Sequence, residues 1–167
     1  MEKLYDKSLT ELHDLLVSKE ITAVDLTEET LNRIQDTEEQ LGSFITVSEE
    51  KAMALAKAID LKGITESNPL AGIPIGIKDN IVTKDILTTA GSKMLHNFDP
   101  IYDATVMDKV YQADMIPVGK LNMDEFAMGG STENVLLQEN KKCLGSNQSS
   151  WWFFWWFSFC CRSRTSP

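Results

Sequence analysis

Leu9, Leu12, Leu15 and Leu16 recur at the spacing of one helix face. They follow Ser8-Leu9-Thr10-Glu11, a capping box in which serine and glutamate satisfy the first free amides, so a helix is expected to about Ser18. Thr22-Ala23-Val24-Asp25 starts a second, with Leu26, Thr30, Leu31 and Ile34 on one side and Glu28-Glu29 near its positive end. Two short helices in tandem read as a hairpin. Gly42 breaks the pattern, Phe44-Ile45-Thr46-Val47 is strand-like, and Ser48 opens a helix from Glu49 to Ile59 with Ala52, Leu55, Ala56 and Ile59 as its apolar stripe.

Gly63 and Asn68-Pro69 mark a loop. Ile73 to Ile77 then read as a short buried strand ending at Lys78, with Pro74 near its start, where a missing N–H is tolerated. Ile81-Val82 either extend that strand or pair locally, and Thr88 to Ser92 form a small-residue loop. Asp103 is the expected N-cap for a helix over Ala104 to Ala113, with Val106, Met107 and Val110 inward. Met115 to Val118 read as another strand, ending before Gly119-Lys120. Strand, helix and strand recur, which predicts an α/β fold with a partly parallel sheet.

Composition narrows the classes. The 167 residues are 43% hydrophobic and 25% charged, as expected for one globular domain. A net charge of −9 argues against a chain that holds nucleic acid by its own phosphate contacts. The first residues lack a signal-peptide core, and no early run approaches the roughly eighteen apolar residues of a membrane span, so a cytoplasmic chain is expected. Cys143, Cys160 and Cys161 suggest neither a disulfide framework nor a metal site. His13 and His96 stand far apart without acidic or cysteine partners, against a histidine triad or a zinc site. No phosphate-binding loop or dinucleotide fingerprint is present.

Two stretches carry candidate chemistry. In Gly72-Ile73-Pro74-Ile75-Gly76-Ile77-Lys78-Asp79-Asn80 an apolar strand delivers one lysine at its end. Lys78 is either a solvated strand-end lysine or a partly desolvated one whose pKa falls toward the base-competent form. Asp79 and Asn80 either fix its ammonium or cap the next turn. In Gly119 to Asn134, Asn122 can cap a short helix through Phe126. Met128, Gly129, Gly130 and Ser131 then either turn backbone amides toward a substrate or form a tight loop.

These two stretches resemble the amidase signature family over about residues 8 to 134, roughly the first quarter of the family's chain. Asp124 to Gly130 is most similar to its glutamine-hydrolysing, tRNA-dependent branch. The resemblance implies an amidase-type mixed sheet with flanking helices, and a Ser–cis-Ser–Lys triad in which Lys78 is the neutral base. It implies glutamine as substrate and a heterotrimer with B and C subunits. It further implies that tRNA is held mainly by the B subunit, that ATP and magnesium are used by the partner, and that this chain has no cofactor and no membrane role. Two other readings are a non-catalytic interaction fragment with an aromatic membrane- or partner-binding tail, and a fragment of a general small-amide hydrolase.

After Asn134 the resemblance breaks. All four tryptophans and all three cysteines lie beyond that point, and residues 1 to 134 alone carry −12. The triad serines are missing; Trp151-Trp152-Phe153-Phe154-Trp155-Trp156-Phe157-Ser158 stands where the family's Gly-Gly-Ser-Ser-Gly-Gly loop would fall. Tryptophan has a single codon, so reading this run one base later forces four glycines and permits Gly-Gly-Ser-Ser-Gly-Gly-Ser-Ala. Residues 1–134 are therefore read as the amidase part and 135–167 as an out-of-frame tail, with the bridging serine displaced by Phe153. The chain as it stands is expected to be inactive, and Lys78, without its serine loop, to be an ordinary solvated lysine. Resequencing the coding region around codons 130 to 136 should reveal the slip, with glycine and serine codons one base on. Nucleotides at the Trp and Phe codons that do not read so would defeat the frameshift.

Overall fold

In the computed structural model, residues 4–129, 141–142 and 145–149 are described. Among the described residues, the α-helices are α1 (Leu9–Val17), α2 (Ala23–Leu41), α3 (Glu49–Lys62) and α4 (Thr105–Gln112). The strands are β1 (Phe44–Val47), β2 (Pro74–Lys78), β3 (Ile116–Leu121), β4 (Lys141–Lys142) and β5 (Gly145–Ser149). β3 is the centre of a three-stranded sheet ordered β1-β3-β2, antiparallel to β1 and parallel to β2. β4 and β5 form a separate antiparallel pair. This is a mixed α/β arrangement of the expected kind.

Local signals account for the helix starts. Ser8 and Glu11 form the expected capping box, and Thr22 and Asp25 form a second one at α2. The start of α2 gains a further partner: both Asp60 carboxylate oxygens, from α3, accept the amides of Ala23 and Val24 at 2.8 and 3.1 Å. That bond fixes α2 on α3. α2 is longer than expected, at 19 residues, and packs chiefly on α3, so the short tandem hairpin is not the unit that forms. Leu12, Leu16, Leu26, Leu31 and Ile34 meet Ala52, Ala56 and Ile59 over Phe44, Ile73, Ile116 and Val118. Here the small alanines of α3 let the helices close on the sheet.

Three expectations are corrected and one open choice is decided. β2 is an edge strand in which only Ile77 is buried, because one of its sides carries no strand among the described residues. Ile81 and Val82 do not extend it: the chain turns at once, with the Ile81 amide on the Lys78 carbonyl at 2.9 Å. α4 is capped at Ala104, not Asp103, whose carboxylate instead accepts the Lys84 amide at 2.8 Å; Met107 is fully buried while Val106 is exposed. β3 runs on through Gly119 and Lys120 to Leu121. Gly119 permits this, since a Cβ there would lie 2.4 Å from the Thr46 carbonyl oxygen of β1.

The segment after β3 also differs. Asn122 does not cap a helix: its amide nitrogen donates to the Gly42 carbonyl at the end of α2, and its oxygen accepts the Met123 amide. The short helical turn that follows is 3₁₀, Glu125–Ala127, opened by Asp124. Asn122 therefore ties the end of β3 to the end of α2, and the chain leaves the sheet next to Lys78.

Candidate active site

Lys78 closes β2, opposite Leu121 of β3, where both strands end. Its side chain is partly buried, and desolvation lowers its pKa while the Asp124 carboxylate pulls the other way. This departs from the ordinary solvated lysine expected for the chain.

From Lys78 the chain runs into the loop from Asp79 to Ser92, which has no regular secondary structure yet is largely buried at Asp79, Thr83, Thr88, Thr89 and Ser92. Two side chains fold it. Asp79, fully buried, turns away from Lys78, and its Oδ2 accepts the Thr89 amide at 3.0 Å, the Thr89 hydroxyl and the Gly91 amide at 3.2 Å. Asp79 therefore fixes the loop, while Asn80 is exposed. Gly91 must be glycine here: its φ is +67°, and a Cβ would lie 2.6 Å from the Met123 carbonyl oxygen.

Lys120 is the second. It is fully buried on β3, and its Nζ donates to the Ile81 carbonyl, to Thr83 Oγ1 at 3.3 Å and to Thr88 Oγ1 at 3.0 Å. Those hydroxyls in turn donate to the carbonyls of Ile81 and Ile86, leaving their lone pairs for the ammonium. Three acceptors match the three protons of a charged lysine. Burial lowers its pKa to about 8, opposed by the Asp79 carboxylate, whose own pKa is raised by burial. At neutral pH the ammonium is still the major form.

The loop is in turn joined to the segment after β3. The Phe126 amide donates to the Ala90 carbonyl at 2.9 Å and Ser92 Oγ donates to Glu125 Oε1 at 2.6 Å. This brings buried Asp124 beside Lys78. Gly129 lies over the same carboxylate, 2.5 Å separating its would-be Cβ from Asp124 Cγ, and Met128 is 81% exposed. Of the expected substrate loop, Met128 and Gly129 thus adjoin the Lys78 end of the sheet; Gly130 and Ser131 lie outside the described residues, as does nearly all of 135–167, including Phe153 and the three cysteines.

Lys120 and its threonines escape a sequence reading that ends the strand at Val118. β3 is buried at every position from Ile116 to Lys120, so letting the strand run on past Val118 buries that lysine. His13 is buried on α1, and no group of histidine, cysteine or acidic residues among the described ones could hold a metal ion. Two hollows, around His13, Ser18 and Glu66 and around Thr46, Glu49 and Asp85, do not include Lys78. No helix among the described residues is long and apolar enough to cross a membrane.

Known proteins are similar to this chain in sequence and fold. The amidase family matches residues 25–148. The A subunit of glutamyl-tRNA(Gln) amidotransferase from Enterococcus faecalis is 95% identical over 141 residues, 84% of this chain and 29% of that protein. Its counterpart from Streptococcus mutans is 63% identical over 128 residues, 77% of this chain and 26% of its own. The crystal structure of the counterpart from Thermotoga maritima superposes with a TM-score of 0.71 at 30% identity, covering 89% of this chain and 30% of that one. The chain spans less than a third of the length of the curated relatives it matches.

The buried lysine makes stability depend on pH in a definite direction. Its folded pKa of about 8 lies below the ordinary value of 10.5, so the unfolded chain binds more protons between them and stability rises with pH. Lys78 acts in the same sense, whereas Tyr111, with a raised pKa, reverses it above pH 10. Asp79, raised from 3.8 by burial, opposes folding while ionised and adds stability as pH falls through its raised pKa, so it does not set the alkaline trend. The urea midpoint, read by pulse proteolysis, should rise from pH 7.5 to 9.5, by up to about 2 kcal/mol of stability. In Lys120→Met the rise should shrink; an unchanged rise would place the titration elsewhere.

Proposed function

The chain belongs to the amidase family, and on that premise we propose that it is the lysine-bearing part of the A subunit of a glutamine-hydrolysing glutamyl-tRNA(Gln) amidotransferase. The observation that carries the reading is the 95% identity over 141 residues to the Enterococcus faecalis protein. The geometry supports it. Lys78 stands at a strand end, partly desolvated, with its pKa lowered, which is what a base taking a proton from a serine requires. Neither the interaction-fragment reading nor the general-hydrolase reading is favoured by such relatives.

In the whole subunit, the neutral Lys78 amine accepts the proton of a bridging serine, which in turn draws the proton from a second serine as that oxygen attacks the glutamine side-chain amide. Ammonia leaves as the acyl-enzyme forms, and water releases glutamate. Such a protein works in the cytoplasm with B and C subunits; the B subunit holds most of the tRNA, and the partner uses ATP and magnesium to activate glutamate on it. No cofactor is assigned to this chain. Residues 1–134 supply the lysine and the start of the sheet; residues 135–167 are an out-of-frame tail in which neither serine is encoded.

Glutamine hydrolysis tests this at both ends. The purified 167-residue chain should release no ammonia above blank. The full Enterococcus faecalis protein with its partners should do so, and alanine at the position aligned with Lys78 should lower kcat by about 10³-fold or more. Turnover by the 167-residue chain that vanishes on Lys78→Ala, or an alanine variant as active as its parent, would refute the assignment.

A further inference from the structure

Lys120 is a buried ammonium that the proton transfers above do not use. Among the described residues, all three acceptors of its Nζ belong to the 79–92 loop, none to Lys78 or to β2. Through Ala90 and Ser92 that loop also holds the Asp124 to Phe126 segment beside Lys78. Asp124 is the carboxylate that acts on Lys78. A fully buried charge is costly unless it is paired and hydrogen-bonded, and here it is committed to a loop without regular structure. A methionine or leucine would fill the same volume at less cost if only packing were needed.

We propose that Lys120 is a positioning residue for Lys78: by anchoring Ile81, Thr83 and Thr88 to β3, it holds the 79–92 loop and the Asp124 segment around the strand end that carries the base. Asp79 does the same from the end of β2 through Thr89 and Gly91, so the two charges clamp one loop from adjacent strands. The proton affinity of Lys78 is thus set from the neighbouring strand. Loosening the loop admits water to the end of β2 and returns Lys78 toward an ordinary lysine.

The catalytic consequence rests on the reading of Lys78 as the family's base; the titration of Lys78 does not, so the two can fail separately. Competitive acetylation of this chain from pH 7 to 11, with each lysine read by mass spectrometry, gives that titration directly. In Lys120→Met the Lys78 midpoint should move up and its reactivity at pH 8 fall several-fold, while protection of β3 amides persists. Thr88→Val is the second variant: it removes one acceptor and keeps the Lys120 charge, so a smaller upward shift there cannot come from deleting a like charge. Lys120→Arg, which keeps charge and donors, should stay nearer the parent than Lys120→Met.

In the full Enterococcus faecalis protein with its partners, the exchange matching Lys120→Met should move the acid limb of the glutaminase kcat/KM profile to higher pH. An unmoved Lys78 midpoint in both Lys120→Met and Thr88→Val overturns the proposal, as does a parent chain in which Lys78 titrates as an ordinary lysine. A shifted midpoint with an unmoved acid limb leaves the positioning intact and refutes Lys78 as the base.

Discussion

One ammonium buried in the central strand governs how the active end of this sheet is built. Lys120 cannot stay charged inside the protein without acceptors, and the chain supplies three of them from a single loop without regular structure. Asp79 adds the opposite charge from the neighbouring strand and binds the other half of the loop. The pair is costly to desolvate, as their opposite shifts toward neutrality show. What it secures is a fixed path for 79–92, and through that loop the surroundings of Lys78.

The helical layer serves the same end from the other side. α2 and α3 are locked together by the Asp60 cap and by the alanines of α3, and they cover β1 and β3. Asn122 then joins the end of β3 to the end of α2, so the segment carrying Asp124 leaves the sheet from a fixed point. Gly119 and Gly91 allow two close backbone approaches in this assembly, strand on strand and loop on the post-β3 segment.

Much of this is legible in the sequence where the signal is local. The capping box at Ser8, the helix start at Thr22, the strand Phe44–Val47 and the stripe Ala52, Ala56, Ile59 depend on neighbours within a few residues and form as read. The errors lie where distant partners decide. Asp103 looks like a cap but is taken by the Lys84 amide, and Asn122 looks like a cap but is taken by Gly42, 80 residues away. Lys78 stands out because its strand-end setting is a sequence pattern. Lys120 does not, because a lysine after glycine reads as solvated unless the strand is known to continue and Thr83 and Thr88 are known to face it.

Hydrogen exchange at single amides tests the clamp most directly. The Thr89 and Gly91 amides sit in a loop of no regular structure, yet both donate to the buried Asp79 carboxylate. If the two charges hold the loop on the sheet, these amides exchange only with the opening that also exposes β3, with protection close to that of the Ile116–Leu121 amides. Exchange at the rate of an open surface loop, while β3 stays protected, would contradict it.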